Sequence, residues 1–186
     1  MKIHFDFETY SECDIRKTGA WIYAMHPTTE VQCMAYAVDD QEPVLWLPDD
    51  PIPDWVTNPK AELHAWNSFF EWVIWTHVLK WPEVPIQRWH DTAAQAAALA
   101  LPRSLAGCGE ALELSVDQKK NKRGSYLITK LCKPFRRKRY KNEELFQELC
   151  EYCVQDVVAE REIAKVLTPL SKEEREIWIL DQIINI

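Results

Sequence analysis

Long apolar runs are missing from this chain. No stretch of about 18 or more consecutive apolar residues is present, which excludes a helix long enough to cross a bilayer. The N-terminus also lacks the basic start and apolar core of a secretory signal, because Asp6 and Glu8 interrupt it. We therefore expect a cytoplasmic protein with no membrane partner.

Complete cysteine motifs for zinc are missing as well. The chain of 186 residues has six cysteines, and Cys150 and Cys153 form one CxxC pair that no second CxxC or HxxxH pair completes. Without an export signal, thiols stay reduced. With 47% hydrophobic residues and nine tryptophans, the sequence predicts one globular domain with buried thiols rather than disulfides or structural zinc.

Acidic residues are absent from one segment of an otherwise acidic chain. The formal net charge is −7, yet residues 119–141 contain eleven of the 22 basic residues and no acid. Such a segment is a candidate contact for a nucleic-acid backbone. A solvated surface segment explains the same composition. The residues predicted to contact the backbone are Lys119, Lys120, Lys122, Arg123, Arg136 and Arg137.

Hydrophobic periodicity predicts an α/β fold. Strands are predicted at the N-terminus and over residues 30–38, 43–48, 61–66 and 86–92. Helices are predicted over residues 68–81, 92–101, 105–114, from Asn142 to about Leu167, and over 172–186. This order of elements favours a single domain with a mixed β-sheet flanked by α-helices.

Two acids interrupt the first predicted strand. In KIHFDFETY, Ile3, Phe5 and Phe7 alternate with polar residues, so Asp6 and Glu8 project from the same face. An edge strand with its polar face in water explains this pattern. A divalent metal ion held by hard oxygen ligands explains it too. The rest of the chain is needed to choose between them.

Further acids occur where apolar residues are expected. Tyr152 and Asp156 are four residues apart and continue the apolar stripe of the last long helix, so they face the same point. Glu71 is the one acid in the aromatic window of residues 63–78, and Asn67 precedes it at a strand-to-helix junction. A buried Tyr–Asp pair and a helix-dipole contact are the plain structural explanations.

Taken together, these acids predict a metal centre. Asp6, Glu8, Glu71 and Asp156 cannot converge inside a fold and all remain charged and unpaired. Two divalent cations about 4 Å apart would neutralise them and support an in-line displacement at phosphorus. The sequence therefore predicts phosphodiester hydrolysis.

The segments DFET, NSFFE and YCVQD resemble the three motifs of DEDD-superfamily 3′→5′ exonucleases of the tyrosine subclass. The segments HDTAAQAAALALPRSL, KRGSYLITKLCKP and LDQIIN resemble the proofreading region of phage-type family A DNA polymerases. This resemblance covers nearly the whole chain. It implies an RNase H-like fold, an exonuclease domain over residues 1–170, and a linker helix over residues 171–186 leading to a polymerase domain.

The resemblance also implies a role for each site residue. Asp6 would contact both Mg²⁺ or Mn²⁺ ions, Glu8 and Asp156 would hold one ion, and Glu71 would hold the other. Tyr152 would orient the attacking water. Thr9 and Asn67 match positions that contact the terminal nucleotide, and Asp91 supports the fold or the site. The implied substrate is single-stranded DNA or a DNA 3′ end.

Two positions depart from the family pattern. Glu71 replaces the usual aspartate, and Trp66 stands where a histidine is frequent, either to stack on a base or to fill the core. Two alternatives stay open from the sequence. One is an RNA-trimming enzyme of the same fold, and the other is a catalytically weak module that binds DNA ends or docks on a polymerase.

Overall fold

The first strand lies in the middle of the sheet. In the computed structural model, which describes residues 1–114, 118–135 and 138–186 and the side chains of all of these except 118–122, five strands form one sheet in the order β3-β2-β1-β4-β5. The strands are β1 (Lys2–Tyr10), β2 (Glu30–Val38), β3 (Val44–Trp46), β4 (Glu62–Ala65) and β5 (Trp89–Asp91). Because β1 is central, the edge-strand explanation for its acids is wrong.

The sheet is mixed, as predicted. Strand β1 pairs antiparallel with β2 and parallel with β4, while β2 pairs antiparallel with β3 and β4 pairs parallel with β5. A register shift between Glu8 and Thr9 marks a bulge in β1. The RNase H-like α/β architecture predicted from the sequence is confirmed.

Helices cover the sheet on both sides. Their bounds within the described residues are α1 (Ile15–Met25), α2 (Ser68–Val73), α3 (Thr92–Ala98), α4 (Leu105–Ala111), α5 (Gln118–Leu131), α6 (Glu143–Val166) and α7 (Lys172–Asn185). The N-cap of α6 is Asn142, whose side chain accepts from the Leu145 amide, as the sequence predicts. Helix α6 packs on β1 and β2.

The two faces of the sheet differ in chemistry. The side chains of Ile3, Phe5 and Phe7 enter an aromatic core that includes Trp75 and Trp89. The opposite face of β1, which α6 covers, carries His4, Asp6 and Glu8. The period-two pattern of KIHFDFETY therefore produces the predicted separation of apolar from acidic side chains.

Some local elements differ from the sequence predictions. Helix α1 was not anticipated, and it is broken at Gly19, whose φ of +79° lies in the left-handed region that glycine tolerates. The helix predicted over 68–81 is α-helical to Val73 and then continues as a wider π-helical segment, Ile74–Leu79. The segment Ile86–Arg88 is a 3-10 turn that precedes β5 rather than part of the strand.

The predicted C-terminal amphipathic helix forms as α7. Trp178 and Gln182 are buried, and Arg175 donates to the backbone carbonyls of Gln87 and Trp89. The domain boundary at residue 170 stays a prediction. In the described part of the chain, no helix combines the length and apolarity needed to cross a membrane.

All six cysteines lie in described residues and are free thiols. Five are buried and Cys13 is half-buried. The prediction of reduced, mostly buried thiols is thus consistent with the fold.

Candidate active site

Strand β1 presents Asp6 and Glu8 to α6. The Cys153 thiol lies 3.6 Å from Asp6 Oδ2, and the Cys132 thiol donates to Glu8 Oε2 at 3.5 Å. A thiol is a weak donor, so these contacts compensate only part of the cost of desolvating two carboxylates. The ionised forms of both acids are therefore poorly compensated by these thiols and call for a stronger partner.

Helix α6 brings Tyr152 and Asp156 to the same place. The Tyr152 hydroxyl donates a hydrogen bond to the Asp156 carboxylate, as the spacing of four residues predicts. Burial raises the pKa of Asp156 to about 6, and the bond from Tyr152 lowers it in part. Burial and the neighbouring Asp156 raise the pKa of the Tyr152 phenol, so this hydroxyl stays protonated at neutral pH.

Glu71 is almost completely enclosed. Its side chain is 1% exposed in the first turns of α2, and its Oε2 atom has no hydrogen-bond partner in the described part of the chain. Burial, and after it the charge of Asp6, raises the pKa of Glu71 well above its usual value. An unpaired buried carboxylate oxygen is costly, so this side chain is held for a reason other than stability.

The four acids influence one another electrostatically. Burial raises the pKa of Asp6, and the charge of Asp156 raises it further. Burial also raises the pKa of Glu8, to which the charges of Asp6 and Asp156 both contribute. Residues from β1, α2 and α6, far apart in sequence, therefore converge as one acidic cluster.

This cluster is open rather than tightly drawn together. Among the described residues, the trio whose ligand atoms all lie within 4.8 Å of one another is a different one, Glu62, His64 and His90. Like-charged carboxylates repel one another, which favours a wider spacing. The acidic cluster is thus defined by its shared electrostatics and not by a compact ligand shell.

Glu160 is a neighbour of the cluster that the sequence reasoning missed. It is buried on α6, lies 2.6 Å from His4 Nδ1 through Oε2, and accepts a hydrogen bond from the Thr92 hydroxyl. Its charge contributes to the raised pKa of Asp6 and Glu71. The signal was available, because Glu160 follows Asp156 by four residues and so shares its helix face.

Asp91 supports the site by organising two helix starts. Its carboxylate accepts from the backbone amides of Asn67, Ser68 and Ala94 at 3.0 to 3.3 Å. These bonds tie the beginning of α2, and hence Glu71, to the end of β5 and the N-terminus of α3. Asp91 therefore has the supporting place in the fold that the sequence suggested for it.

The three predicted substrate contacts occupy different environments. Asn67 is exposed with a left-handed φ of 62°, and its side chain makes no capping bond to α2. Thr9 is buried, and its hydroxyl lies 2.7 Å from the Tyr23 hydroxyl. Trp66 is half-buried against the cluster of Ala96 and Ile163, with its indole N–H donating to the Arg103 carbonyl. Of the three, Asn67 is the one with a free side chain at the surface.

The predicted basic contacts lie mostly outside the described side chains. This holds for Lys119, Lys120 and Lys122, and for Arg136 and Arg137. Arg123 is exposed on α5 and forms a bidentate ion pair with Glu148 of α6, with N···O distances of 2.6 and 2.7 Å. This ion pair links the basic helix to the helix that carries Asp156.

A cavity of about 850 Å³ opens between α5 and α6. Its lining includes Arg123, Gly124, Leu127, Tyr152 and Asp156. Gly124 lies so close to the Tyr152 ring that a Cβ atom there would come within 2.2 Å of Tyr152 Cε2. Glycine is thus required at this position for the tyrosine to keep its place, a constraint that the sequence did not reveal.

The trio of Glu62, His64 and His90 lies on the same face of the sheet as the acids. Burial lowers the pKa of His64 to about 2 and that of His90 to about 4, so both imidazoles are neutral at pH 7. These residues form a group that could hold a metal ion, separate from the acidic cluster.

Comparison with known proteins gives one informative relative. No protein-family model matches the chain. A DNA polymerase of Bacillus phage SP02 is 33% identical to it over an alignment of 202 positions, which takes in 98% of this chain. The chain spans 31% of the length of that phage protein. It is therefore related in sequence to one part of a phage DNA polymerase.

Proposed function

We propose that the chain is a metal-dependent 3′→5′ exonuclease that hydrolyses the terminal phosphodiester of single-stranded or frayed DNA, as the proofreading unit of a family A DNA polymerase. The observation that carries this proposal is the convergence of Asp6, Glu8, Glu71 and Asp156, each with a raised pKa and the first three raised in part by another carboxylate nearby. A group of perturbed carboxylates, one of which lines a cavity, is typical of a catalytic centre.

The acidic cluster fits a site for Mg²⁺ or Mn²⁺. Among the described residues, Glu71 Oε2 is buried without a hydrogen-bond partner, and the other carboxylates have only weak donors or a single phenol as partners. Hard divalent cations prefer such oxygen ligands. Asp6, Glu8, Glu71 and Asp156 would hold two of them. When bound, these ions supply the positive charge that stabilises an in-line displacement at phosphorus.

The remaining residues of the site position the reactants. The Tyr152 hydroxyl stays protonated and donates its one proton to Asp156, so its oxygen can accept a hydrogen bond from a water beside it. On the side of α5, Gly124 leaves room for the Tyr152 ring because it lacks a side chain. The cavity between α5 and α6 gives a DNA end access to both residues.

DNA is the proposed substrate rather than RNA. The support comes from the relative, whose name is DNA polymerase and which matches almost the whole chain. The basic segment 119–141 would contact the backbone without regard to sequence. Its described member Arg123 is paired with Glu148, so DNA must compete with this ion pair.

The polymerase partner is also part of the proposal. Helix α7 leaves apolar side chains in solvent, including Ile177, Leu180 and Ile184, the last of which is 74% exposed. An exposed apolar face of this kind favours a contact with another protein surface. We assign it to a polymerase domain, because the relative is named a DNA polymerase and this chain spans only 31% of its length.

The decisive experiment follows the fate of a labelled strand. A single-stranded DNA labelled at its 3′ end is incubated with the protein in Mg²⁺, in Mn²⁺ and in chelator, with a matched RNA strand in parallel. We expect labelled mononucleotide from DNA in the metal lanes alone. The Asp156→Asn variant should release none. Release from the 5′ end, cleavage in chelator, or preference for RNA would each contradict the proposal.

A further inference from the structure

Three histidines form a ladder across the parallel strands. The register pairs His4 with His64 and His64 with His90, so all three project from one face of the sheet. The His64 ring stacks on His90 at 4.4 Å with an interplanar angle of 7°, and on His4 at 4.8 Å. Glu62 is two residues before His64 and therefore lies on the same face.

His64 is the member of the ladder whose two ring nitrogens are both buried without a hydrogen-bond partner among the described residues. Its side chain is buried, with 6% of the residue exposed, and neither Nδ1 nor Nε2 finds a partner in the part of the chain that the structure describes. His4, by contrast, contacts Glu160 through Nδ1. An unsatisfied buried polar group costs about 1–3 kcal/mol, so two on one imidazole need an explanation.

The neighbours of His64 supply a complete donor set. His64 Nε2 lies 4.0 Å from Glu62 Oε2, and one ligand atom from each of Glu62, His64 and His90 lies within 4.8 Å of the others. Two imidazoles and one carboxylate are the protein ligands of many zinc sites with an open fourth position. Glu62 is exposed and His90 half-buried, so an ion can reach the trio from solvent.

We propose that Glu62, His64 and His90 bind one Zn²⁺ ion, or a similar transition-metal ion, at a site separate from the acidic cluster. The proposal does not depend on the nuclease function. Imidazole ligands select zinc and its neighbours in the first transition row over Mg²⁺ and Ca²⁺. His4 is left out of the ligand set, because it does not belong to the described trio whose ligand atoms all lie within 4.8 Å of one another.

The charges near the trio also bear on which metal ion it would bind. Lys2 and Arg175 are the cationic groups whose charges act on His64 together with its histidine neighbours. They oppose any cation at the trio, and Glu62 offsets only one of them. Affinity must therefore come from direct bonds to the two imidazoles, which again favours a transition metal over a hard cation.

Binding requires a small change in the histidine stack. Two nearly parallel rings cannot both aim an in-plane lone pair at one ion, so at least one ring must tilt. His90 is the less buried of the two and has room to turn. We therefore expect the ion to replace the His64–His90 stacking contact.

The test is a zinc titration of the full chain. Excess Mg²⁺ competes with Zn²⁺ for the oxygen ligands of the acidic cluster, and a chromophoric chelator sets the free Zn²⁺ concentration. We expect one tight site in the wild type. The His90→Ala and Glu62→Gln variants should lose more than the roughly 10–100-fold in affinity that removal of an outer-shell partner costs. The His26→Ala variant, which removes a histidine bonded to Thr28 elsewhere, should match the wild type.

A cobalt spectrum identifies the ligands. Co²⁺ bound by nitrogen and oxygen should show visible bands without the strong sulfur charge-transfer absorption that thiol ligands produce. These bands should vanish in His90→Ala and persist in His26→Ala, with circular dichroism verifying that both variants fold. Absence of a tight site in the wild type, an unchanged site in His90→Ala, or a thiol signature would each overturn the proposal.

Discussion

The two faces of the sheet make opposite contributions to the stability of the fold. One face packs Phe5 and Phe7 among buried indoles, and Trp75 touches Trp81 and Trp89 edge to face at 4.8 and 5.7 Å. The other face buries carboxylates, imidazoles and thiols beneath α6. The first arrangement stabilises the fold, whereas the second costs free energy because charge is removed from water.

The contrast shows that the residues that stabilise the fold and the residues of the candidate site lie on opposite faces of one sheet. The same strand, β1, contributes to both faces through alternate residues, so a rigid aromatic core lies directly behind the acids. A site built on a strand between packed layers is held more accurately than one built on loops. The aromatic core thus holds β1 in place. The acidic face can therefore keep mutually repelling carboxylates together in one cluster.

The largest effect is expected from removing one acid of the cluster. Asp6→Asn keeps the shape of the side chain but removes the charge that would hold a cation, a contribution worth several kcal/mol in the transition state. Single-turnover cleavage of labelled single-stranded DNA in Mg²⁺ should fall by several powers of ten, at about 1.4 kcal/mol for each. Asp49→Asn, an exposed acid near β3, is the control. Similar rates for both variants would refute the assignment.

The next effect concerns the aromatic face. Trp75 is 1% exposed, and Trp75→Ala should lower the free energy of unfolding by about 3–5 kcal/mol because it leaves a large cavity. Urea denaturation in chelator measures this change. Trp72→Ala, in the same aromatic region but half-buried, should cost clearly less. Equal losses of stability at the two positions would mean that Trp75 contributes no more packing energy than Trp72, despite its greater burial.

A smaller effect links the acids to pH. The pKa of Asp156 is raised from 3.8 to about 6, so between these values the folded protein binds this proton more tightly than the unfolded chain does. In chelator, this residue therefore lowers the free energy of unfolding as pH rises through that window, by about 1–3 kcal/mol.

Comparison with Asp156→Asn isolates that contribution from the other acids. The variant should be the more stable protein above about pH 6, and the two should converge near pH 4. Urea denaturation across this range provides the measurement. A wild type that becomes the more stable of the two as pH rises would show that the fold stabilises the ionised form of Asp156. That result would contradict the predicted fall in the free energy of unfolding.

The smallest effect comes from the contact between α5 and the active site. Gly124→Ala would push the Tyr152 ring away from Asp156, and we expect DNA cleavage to fall about tenfold, or roughly 1.4 kcal/mol in the barrier. Stability should change little, because alanine favours the helix by about 1 kcal/mol and so offsets the strain. Ser125→Ala, exposed on the same helix, is the matched control. Unchanged cleavage in Gly124→Ala would exclude this positioning role.

Much of the fold could be predicted because its signals are local. The alternation in KIHFDFETY predicted the two faces of β1, and the Asn142 cap with the following stripe predicted both ends of α6. The break in α1 at Gly19 and the π-helical turn after Val73 were not predictable. Neither feature has a sequence pattern of its own within a short window of residues.

The same limit applies to the candidate site. The spacing of Asp6 with Glu8, and of Tyr152 with Asp156, could be predicted from strand and helix periods. The close approach of Gly124 to Tyr152 could not, because it joins two helices through a contact that glycine makes only by lacking a side chain. Glu160 was missed although its spacing from Asp156 was visible.

By itself the sequence determined the class of the fold, the strand face that carries the first two acids, and the helix face that carries Tyr152 and Asp156. These depend on periodicity, which is encoded within a few residues of chain. Only the tertiary structure decided that Glu71 Oε2 is buried without a hydrogen-bond partner in the described part of the chain, that Asp6 and Asp156 influence each other, and that His64 lies between His4 and His90. Contacts between residues far apart in the chain are set by how the layers pack, and local patterns do not specify that packing.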